Sequence, residues 1–364
     1  MFAGENKCPA LRKMEKKEFT KEYADCDSAS CSAKSSAMCG SAFAPTPIEF
    51  FGNVGGAELY VKRDDLIPVA MGGNKVRIAA EIFAEMSRRG CDAVITYGSV
   101  TSNLNRAVAL MAKDAGVKCY AIVKKDTCAA AEKLPLNYRL VLASGAQVTE
   151  TDGANVRETV ARVMAESRDR GEKPFYVYGD ATGHGNEEVL SRAYQKVYGE
   201  ILTQEQALFD GEYHFTEIFT AVGTGSTVSG LIAAAGGEGA LPGMTEAGAV
   251  PGAAAGERHI TGISVARSRE AVLAAIGPED ERFTITDAYL AGGYGQTAAA
   301  GAASTSLENF CITTSLAHAM PLDPVYTGKA LFGTMEEIRK RGITGKVLFL
   351  HTGGTPLYYD MLEK

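Results

Sequence analysis

The chain has 364 residues, of which 46% are hydrophobic and 22% charged, with a formal net charge of -7. That length suits two domains or one large α/β domain with a buried core. The acidic balance argues against nucleic acid or an anionic membrane as partner, because both select clustered Lys and Arg.

No apolar run reaches the roughly 20 residues that a membrane-spanning helix needs, and no basic-then-apolar signal segment opens the sequence. A cytoplasmic protein is the expectation. Of the eight cysteines, Cys8, Cys26, Cys31 and Cys39 lie early, and Cys91, Cys119, Cys128 and Cys311 are scattered through the body. None forms a C-x-x-C pair, so no metal site is expected. Cys91 and Cys119 stand at strand starts, where a thiol packs as a small apolar group.

Residues 1–45 read as an extension, rich in Lys and Glu over Lys13–Lys21 and in Ser, Ala and Cys over Asp27–Ala44, with a short helix around Glu15–Tyr23. From Thr46 the pattern sharpens. A Gly-Gly turn at Gly55 precedes a strand over Ala57–Lys62. The heptad Met71–Arg77 (Met-Gly-Gly-Asn-Lys-Val-Arg) then turns the backbone through positive φ and opens an amphipathic helix ending at Gly90. Lys75 sits on its first turn. The electropositive helix end disfavours a second positive charge there, so the amine tends to be neutral, the form that attacks an aldehyde.

Strands and helices alternate from there. Strands are expected at Ala93–Tyr97, Lys118–Val123, Gln147–Glu150, Phe175–Tyr178, Glu217–Ala221, Ile260–Val265 and Lys346–Leu350. Helices are expected at Asn103–Lys113, Leu134–Ala143, Val156–Arg168, Glu187–Leu208 and Gly328–Arg341, with others starting at Thr227 and Ser268. This βαβ rhythm implies parallel sheet covered by helices on both faces. The Gly-, Ala- and Pro-rich stretch Gly236–Gly256 reads as a surface insertion.

Chemistry-bearing residues gather where strands end and helices begin, which is where open α/β sheets bind ligands. In Gly98–Arg106, Ser102 can cap a helix whose first amides could hold a carboxylate. Gly223-Thr224-Gly225-Ser226-Thr227 follows a strand and opens a helix. It lacks the Gly-Lys-Ser/Thr ending of a nucleotide loop, and a single terminal phosphate fits it better. His351-Thr352-Gly353-Gly354 again puts a hydroxyl beyond a strand end, and Tyr294 and Tyr326 stand in turn settings as possible proton carriers. A lysine nucleophile, a monophosphate cradle, neutral hydroxyls and tyrosines together describe a pyridoxal phosphate site.

Lys62-Arg63-Asp64-Asp65-Leu66, Gly72-Gly73-Asn74-Lys75, Ser102-Asn103, the Gly223–Thr227 loop, Asp323–Lys329 and His351–Gly354 occur in this order. With them, the chain from Thr46 onward resembles the D-cysteine desulfhydrase and 1-aminocyclopropane-1-carboxylate deaminase family. The resemblance implies a two-domain α/β enzyme of the tryptophan synthase β-like fold (fold type II), with open parallel sheets flanked by helices. The expected division is a large cofactor domain over 46–77 and 191–364 and a small inserted α/β domain over 78–190.

By the same resemblance, Lys75 holds pyridoxal 5'-phosphate beside Asn74, and Asn103 contacts the ring hydroxyl. Gly223, Thr224, Gly225, Ser226 and Thr227 take the phosphate. Ser102 takes the carboxylate of a small amino-acid substrate, and Tyr294 and Tyr326 flank that substrate. A homodimer is implied.

The deaminases carry Glu where this chain has Thr327, so Thr352 is expected to partner the pyridine nitrogen. That favours α,β-elimination from a β-substituted amino acid such as D-cysteine or L-cysteate, giving a keto acid, ammonia and the leaving group. The alternatives are cyclopropane ring opening and a catalytically silent binding protein. Thr101, Leu104 and Ile78 depart from the family pattern, and Thr101 and Leu104 are expected to set substrate choice.

Overall fold

The computed structural model describes residues 43–124, 134–212, 214–236, 258–294 and 307–363. The helix expected near Glu15–Tyr23, the early cysteines, Cys128 and all but the first residue of the Gly236–Gly256 insertion lie outside them. Two sheets organise the chain. In the first, β1 (Ile48–Val54) and β2 (Gly56–Arg63) form an antiparallel hairpin about Gly55. Parallel strands extend it in the order β1-β2-β10-β7-β8-β9, with β7 at Phe215–Val222, β8 at His259–Ser264, β9 at Phe283–Thr286 and β10 at Thr344–His351. The second is all parallel, in the order β5-β4-β3-β6: β3 is Ala93–Ser99, β4 Lys118–Lys124, β5 Gln147–Thr151 and β6 Pro174–Tyr176.

Central strands are buried on both faces, as parallel sheet covered by helices requires. Val347 to Leu350 are each at most 2% exposed, and Ile218 and Phe219 are fully buried. Helices α1 (Asn74–Arg89), α2 (Asn103–Ala115), α3 (Leu136–Ala143), α4 (Val156–Asp169) and α5 (Glu187–Leu208) connect the first half. After them come α6 (Ser226–Ala235), α7 (Arg269–Ile276), α8 (Leu307–His318), α9 (Thr327–Arg341) and α10 (Thr355–Leu362). The apolar face of α1, from Val76 through Ile82 to Met86, is buried, and Gly90 ends the helix at φ 63.

The sequence pattern found most of these elements within a few residues. The strand expected over Phe175–Tyr178 is shorter, ending at Tyr176. Helix α8 was not foreseen because its buried face carries Cys311 and Ser315 beside Leu307, which dilutes the apolar period.

The Lys62–Asp65 segment serves the fold. Lys62 Nζ donates to Thr46 O (2.9 Å), Glu200 Oε1 (2.6 Å) and Gln204 Oε1 (2.8 Å). Arg77, on α1, bridges Asp64 Oδ1 (2.9 Å) and Glu200 Oε2 (3.0 Å), and Tyr194 OH donates to Asp64 Oδ2. Burial raises the Asp64 carboxyl, but Arg77 and Lys62 outweigh it and hold it below its usual range. The buried network clamps the hairpin, α1 and α5 together just behind Lys75.

Candidate active site

The lysine turn is built from backbone that side chains resist. Ala70, Met71, Gly72 and Gly73 have φ of 46, 61, 66 and 91 in succession. Such conformations persist only where surrounding contacts enforce them. A Cβ on Gly72 would lie 2.5 Å from Asp65 O, and one on Gly73 would lie 2.8 Å from Thr352 O. Glycine is therefore required at both positions. Gly73 N donates to Asp64 O (2.8 Å), and Asn74 N donates to Thr352 O (3.0 Å). The Asn74 side chain reaches across to Thr227 Oγ1 (3.0 Å). These bonds bring the lysine turn, the loop after β10 and the Gly223–Thr227 loop together. Lys75 is half-buried, and its amine is lowered to about 8. The expected direction holds, but its cause is removal from water rather than the helix end alone.

The Gly223–Thr227 loop turns at Gly225 (φ 101) into α6. A Cβ there would meet Ile276 at 2.6 Å, while one on Gly223 would lie 3.5 Å from the Tyr326 ring. The first amides of α6 have no partners within the helix and are electropositive. With the Thr224, Ser226 and Thr227 hydroxyls they form a donor set suited to a phosphate. Beyond β10, the His351 ring bridges Pro321 O (Nε2, 2.8 Å) and Gly353 N (Nδ1, 3.2 Å). That fixes the loop carrying Thr352, which is buried. Thr327 is occupied elsewhere: its hydroxyl donates to Asp323 Oδ2 (2.6 Å), and Asp323 also accepts the amides that open α9.

The second sheet supplies the opposite wall. Ser102 caps α2 by accepting from Asn105 N (3.1 Å). Tyr294 OH shares hydrogen bonds with Thr101 Oγ1 (2.9 Å) and Ser99 Oγ (3.2 Å), and its ring meets that of Tyr326 edge-on at 5.9 Å. Burial and the neighbouring Tyr294 raise the Tyr326 phenol well above its usual value, so it stays protonated and able to donate. Thr101 thus reaches the cleft. Leu104 is buried in the apolar core, against the expectation that it sets substrate choice together with Thr101. A helix turns about 100° per residue, which carries Leu104 inward while Asn103 stays at the edge. Ile78 likewise lies in the core.

Other residues of the site were given no role from the sequence, although Arg106 and Lys329 close two of its motifs. Arg106 is fully buried and donates to Gly72 O (3.1 Å) and Met71 O (3.4 Å), with its Nε unpartnered. Lys329, lowered to about 8 by burial, donates to Leu290 O and Gly293 O (2.9 Å each), holding the turn before Tyr294. Asn137 donates from Nδ2 to Thr101 O (2.8 Å) and Asn103 Oδ1 (2.9 Å).

A lysine amine with lowered basicity, on a turn hydrogen-bonded to a helix-end phosphate cradle, fits pyridoxal phosphate. A family model described as pyridoxal-phosphate dependent enzyme matches residues 41–353. The chain belongs to that family. The D-cysteine desulfhydrase of Salmonella choleraesuis is 30% identical over 329 residues, covering 87% of this chain and 93% of the relative. A Pyrococcus abyssi protein provisionally named 1-aminocyclopropane-1-carboxylate deaminase is 31% identical over 331 residues, with the same coverage. The solved structure of an ACC deaminase homologue superposes with a TM-score of 0.67 at 26% identity, over 88% of this chain and 94% of that one. A hydrogen sulfide-producing enzyme from Fusobacterium nucleatum (TM-score 0.56, 17% identity, 87% and 97% covered) shares the fold. The chain is therefore an α/β pyridoxal-phosphate dependent enzyme, as its motifs implied.

Proposed function

We propose that the protein is a lyase that eliminates the β-substituent of a small amino acid such as D-cysteine, L-cysteate or a relative. The products are a keto acid, ammonia and the leaving group. The observation that carries this reading is the Asn74–Thr227 hydrogen bond, which sets Lys75 beside the phosphate loop, with the Thr352 carbonyl on the same asparagine. Bound pyridoxal phosphate supplies an electron sink for the amino-acid Cα. Lys75 anchors the cofactor and moves the Cα proton. The α6 amides with Thr224, Ser226 and Thr227 would hold the phosphate, Asn103 would donate to the ring oxygen, and the Thr352 hydroxyl would pair with the ring nitrogen. A nitrogen paired with a hydroxyl would stay unprotonated and be a weaker electron sink than one paired with a carboxylate, which suffices for a good leaving group on Cβ. Ser102 and the α2 amides hold the substrate carboxylate, and Tyr294 and Tyr326 pass a proton to the departing group.

The division into a large domain (46–77, 191–364) and a small one (78–190) is supported by the two separate sheets. The free thiols of Cys91, Cys119 and Cys311 suit a reducing, cytoplasmic setting. Exposed Leu134, Leu142, Tyr359 and Leu362 on the α3–α10 face support pairing of two copies.

The test is keto-acid release from a panel of D- and L-amino acids that includes 1-aminocyclopropane-1-carboxylate. Release from β-substituted amino acids, abolished by Lys75→Ala, is expected. Turnover of the cyclopropane alone would establish ring opening, and a protein that binds cofactor but turns over none of the panel would be the silent form.

A further inference from the structure

The Asn137 amide sits between two groups that fix its orientation and, through it, that of a neighbour. Asn137 is fully buried. Its Nδ2 lies 2.8 Å from the carbonyl oxygen of Thr101, which can only accept. The amide nitrogen must therefore face that carbonyl. The second hydrogen on the same nitrogen points to Asn103, 2.9 Å away, so the Asn103 group meeting it must be the oxygen. With Oδ1 committed to Asn137, the Asn103 Nδ2 is turned to the other side. Among the described residues no protein group takes it.

We infer that Asn137 is a positioning residue that presents the Asn103 amide nitrogen as a donor to the cofactor ring oxygen. The inference rests on the proposed contact between Asn103 and that oxygen. Without Asn137, Asn103 would be free to turn its own oxygen outward, where it repels a ring oxygen instead of donating to it. Asn137 is itself held from outside its sheet. Asp360 on α10 accepts from Leu136 N through both oxygens, at 2.9 and 3.1 Å, and so anchors the first turn of α3. Pro135, at the helix start, has no side chain that could do so.

The test reads the bound cofactor's absorbance against pH in the purified holoenzyme, without turnover. The proton that titrates is shared between the ring oxygen and the lysine nitrogen. A donor aimed at that oxygen competes with the proton and lowers the pH at which it leaves. Losing the donor should raise that pH by about one unit, the scale of a hydrogen bond to a charged oxygen. Asn137→Leu, close in size but without a donor, should raise it. Asn137→Asp should do the same, by offering Asn103 an acceptor that draws its nitrogen inward. Asn103→Ala should also raise it, and adding Asn137→Leu to Asn103→Ala should shift it no further. A shift in Asn103→Ala but in neither Asn137 variant overturns the positioning role and leaves the Asn103 contact standing. Additive shifts in the double variant also overturn it, because Asn137 would then act by another route. No shift in Asn103→Ala removes the contact itself, and the inference with it.

Discussion

Lys75 is half-buried on a strained turn, and its depressed ionisation has two measurable consequences. Capture of pyridoxal phosphate by cofactor-free protein needs the neutral amine. The capture rate should therefore rise through a single ionisation near pH 8, well below the 10.5 of a solvated lysine. Stopped-flow absorbance across pH 6 to about 11 checks this, and a rate still climbing above pH 9 would contradict it. The stability sign follows from the same shift. Between about 8 and 10.5 the unfolded chain holds a proton at Lys75 that the folded chain has lost, so this residue adds stability to the cofactor-free fold as pH rises through that window. Arg106 makes a second residue-scale case. It is buried on α2, and among the described residues its contacts are the carbonyls of Met71 and Gly72. Burial lowers it to about 10. Replacing a buried guanidinium that has no carboxylate partner with an apolar chain of similar length costs little stability. Arg106→Met should leave the unfolding free energy from urea titration within about 1 kcal/mol of wild type. It should also slow cofactor capture at least roughly tenfold, because the turn carrying Lys75 loses its brace. Equal loss of both properties would show that Arg106 is a packing residue. Lys75 was legible from its glycines; Arg106 was not, since an arginine mid-helix reads as a solvated side chain until the opposing carbonyls are seen.

Turns, rather than helices or strands, carry the chemistry at the scale of elements, and each turn is locked by a neighbour distant in sequence. A Cβ on Gly73 would meet the backbone of Thr352 and Gly353, and one on Gly353 would meet that of Gly73. Gly73→Ala would place a methyl 2.8 Å from Thr352 O on backbone at φ 91. The expected cost is at least about 1–3 kcal/mol together with loss of cofactor binding, read by thermal melting and by the absorbance of purified protein. The turn before Tyr294 is held differently, by the Lys329 ammonium on the carbonyls of Leu290 and Gly293. Lys329→Met should detach that turn and lower kcat while cofactor affinity stays near wild type, since none of these bonds touches the phosphate loop. Elements were legible where apolar spacing was clean, as in α1 and β10. Helix α10 was not foreseen, because Pro356 in its first turn is a start signal weaker than a long amphipathic period.

On the scale of the whole molecule, the two sheets contribute opposite halves of one site, and a few long-range bonds hold those halves in register. The βαβ alternation made parallel sheet covered by helices readable, because each strand and helix writes its own local period into the sequence. Bonds between the halves leave no such trace. Leu136 and Asp360 are 224 residues apart, and nothing near either residue signals the other. Their contact joins α3, on the small sheet, to α10, which follows directly on the Thr352–Gly354 loop. It is a cap supplied by a different part of the chain, with the Arg139–Glu363 pair beside it contributing little because both side chains are more than a third exposed to water. An acidic side chain at a helix start satisfies free amides and opposes the helix dipole, and its loss typically costs about 1 kcal/mol. Asp360→Ala should therefore lower stability by roughly that amount and speed amide exchange in the first turn of α3, around Leu136 to Arg139. Asp360→Asn keeps an acceptor and should restore most of the protection. If exchange in α3 is the same in all three proteins, the cap does not hold the helix, and the register of the two halves must be set elsewhere, first of all by the Tyr294 hydroxyl on Thr101.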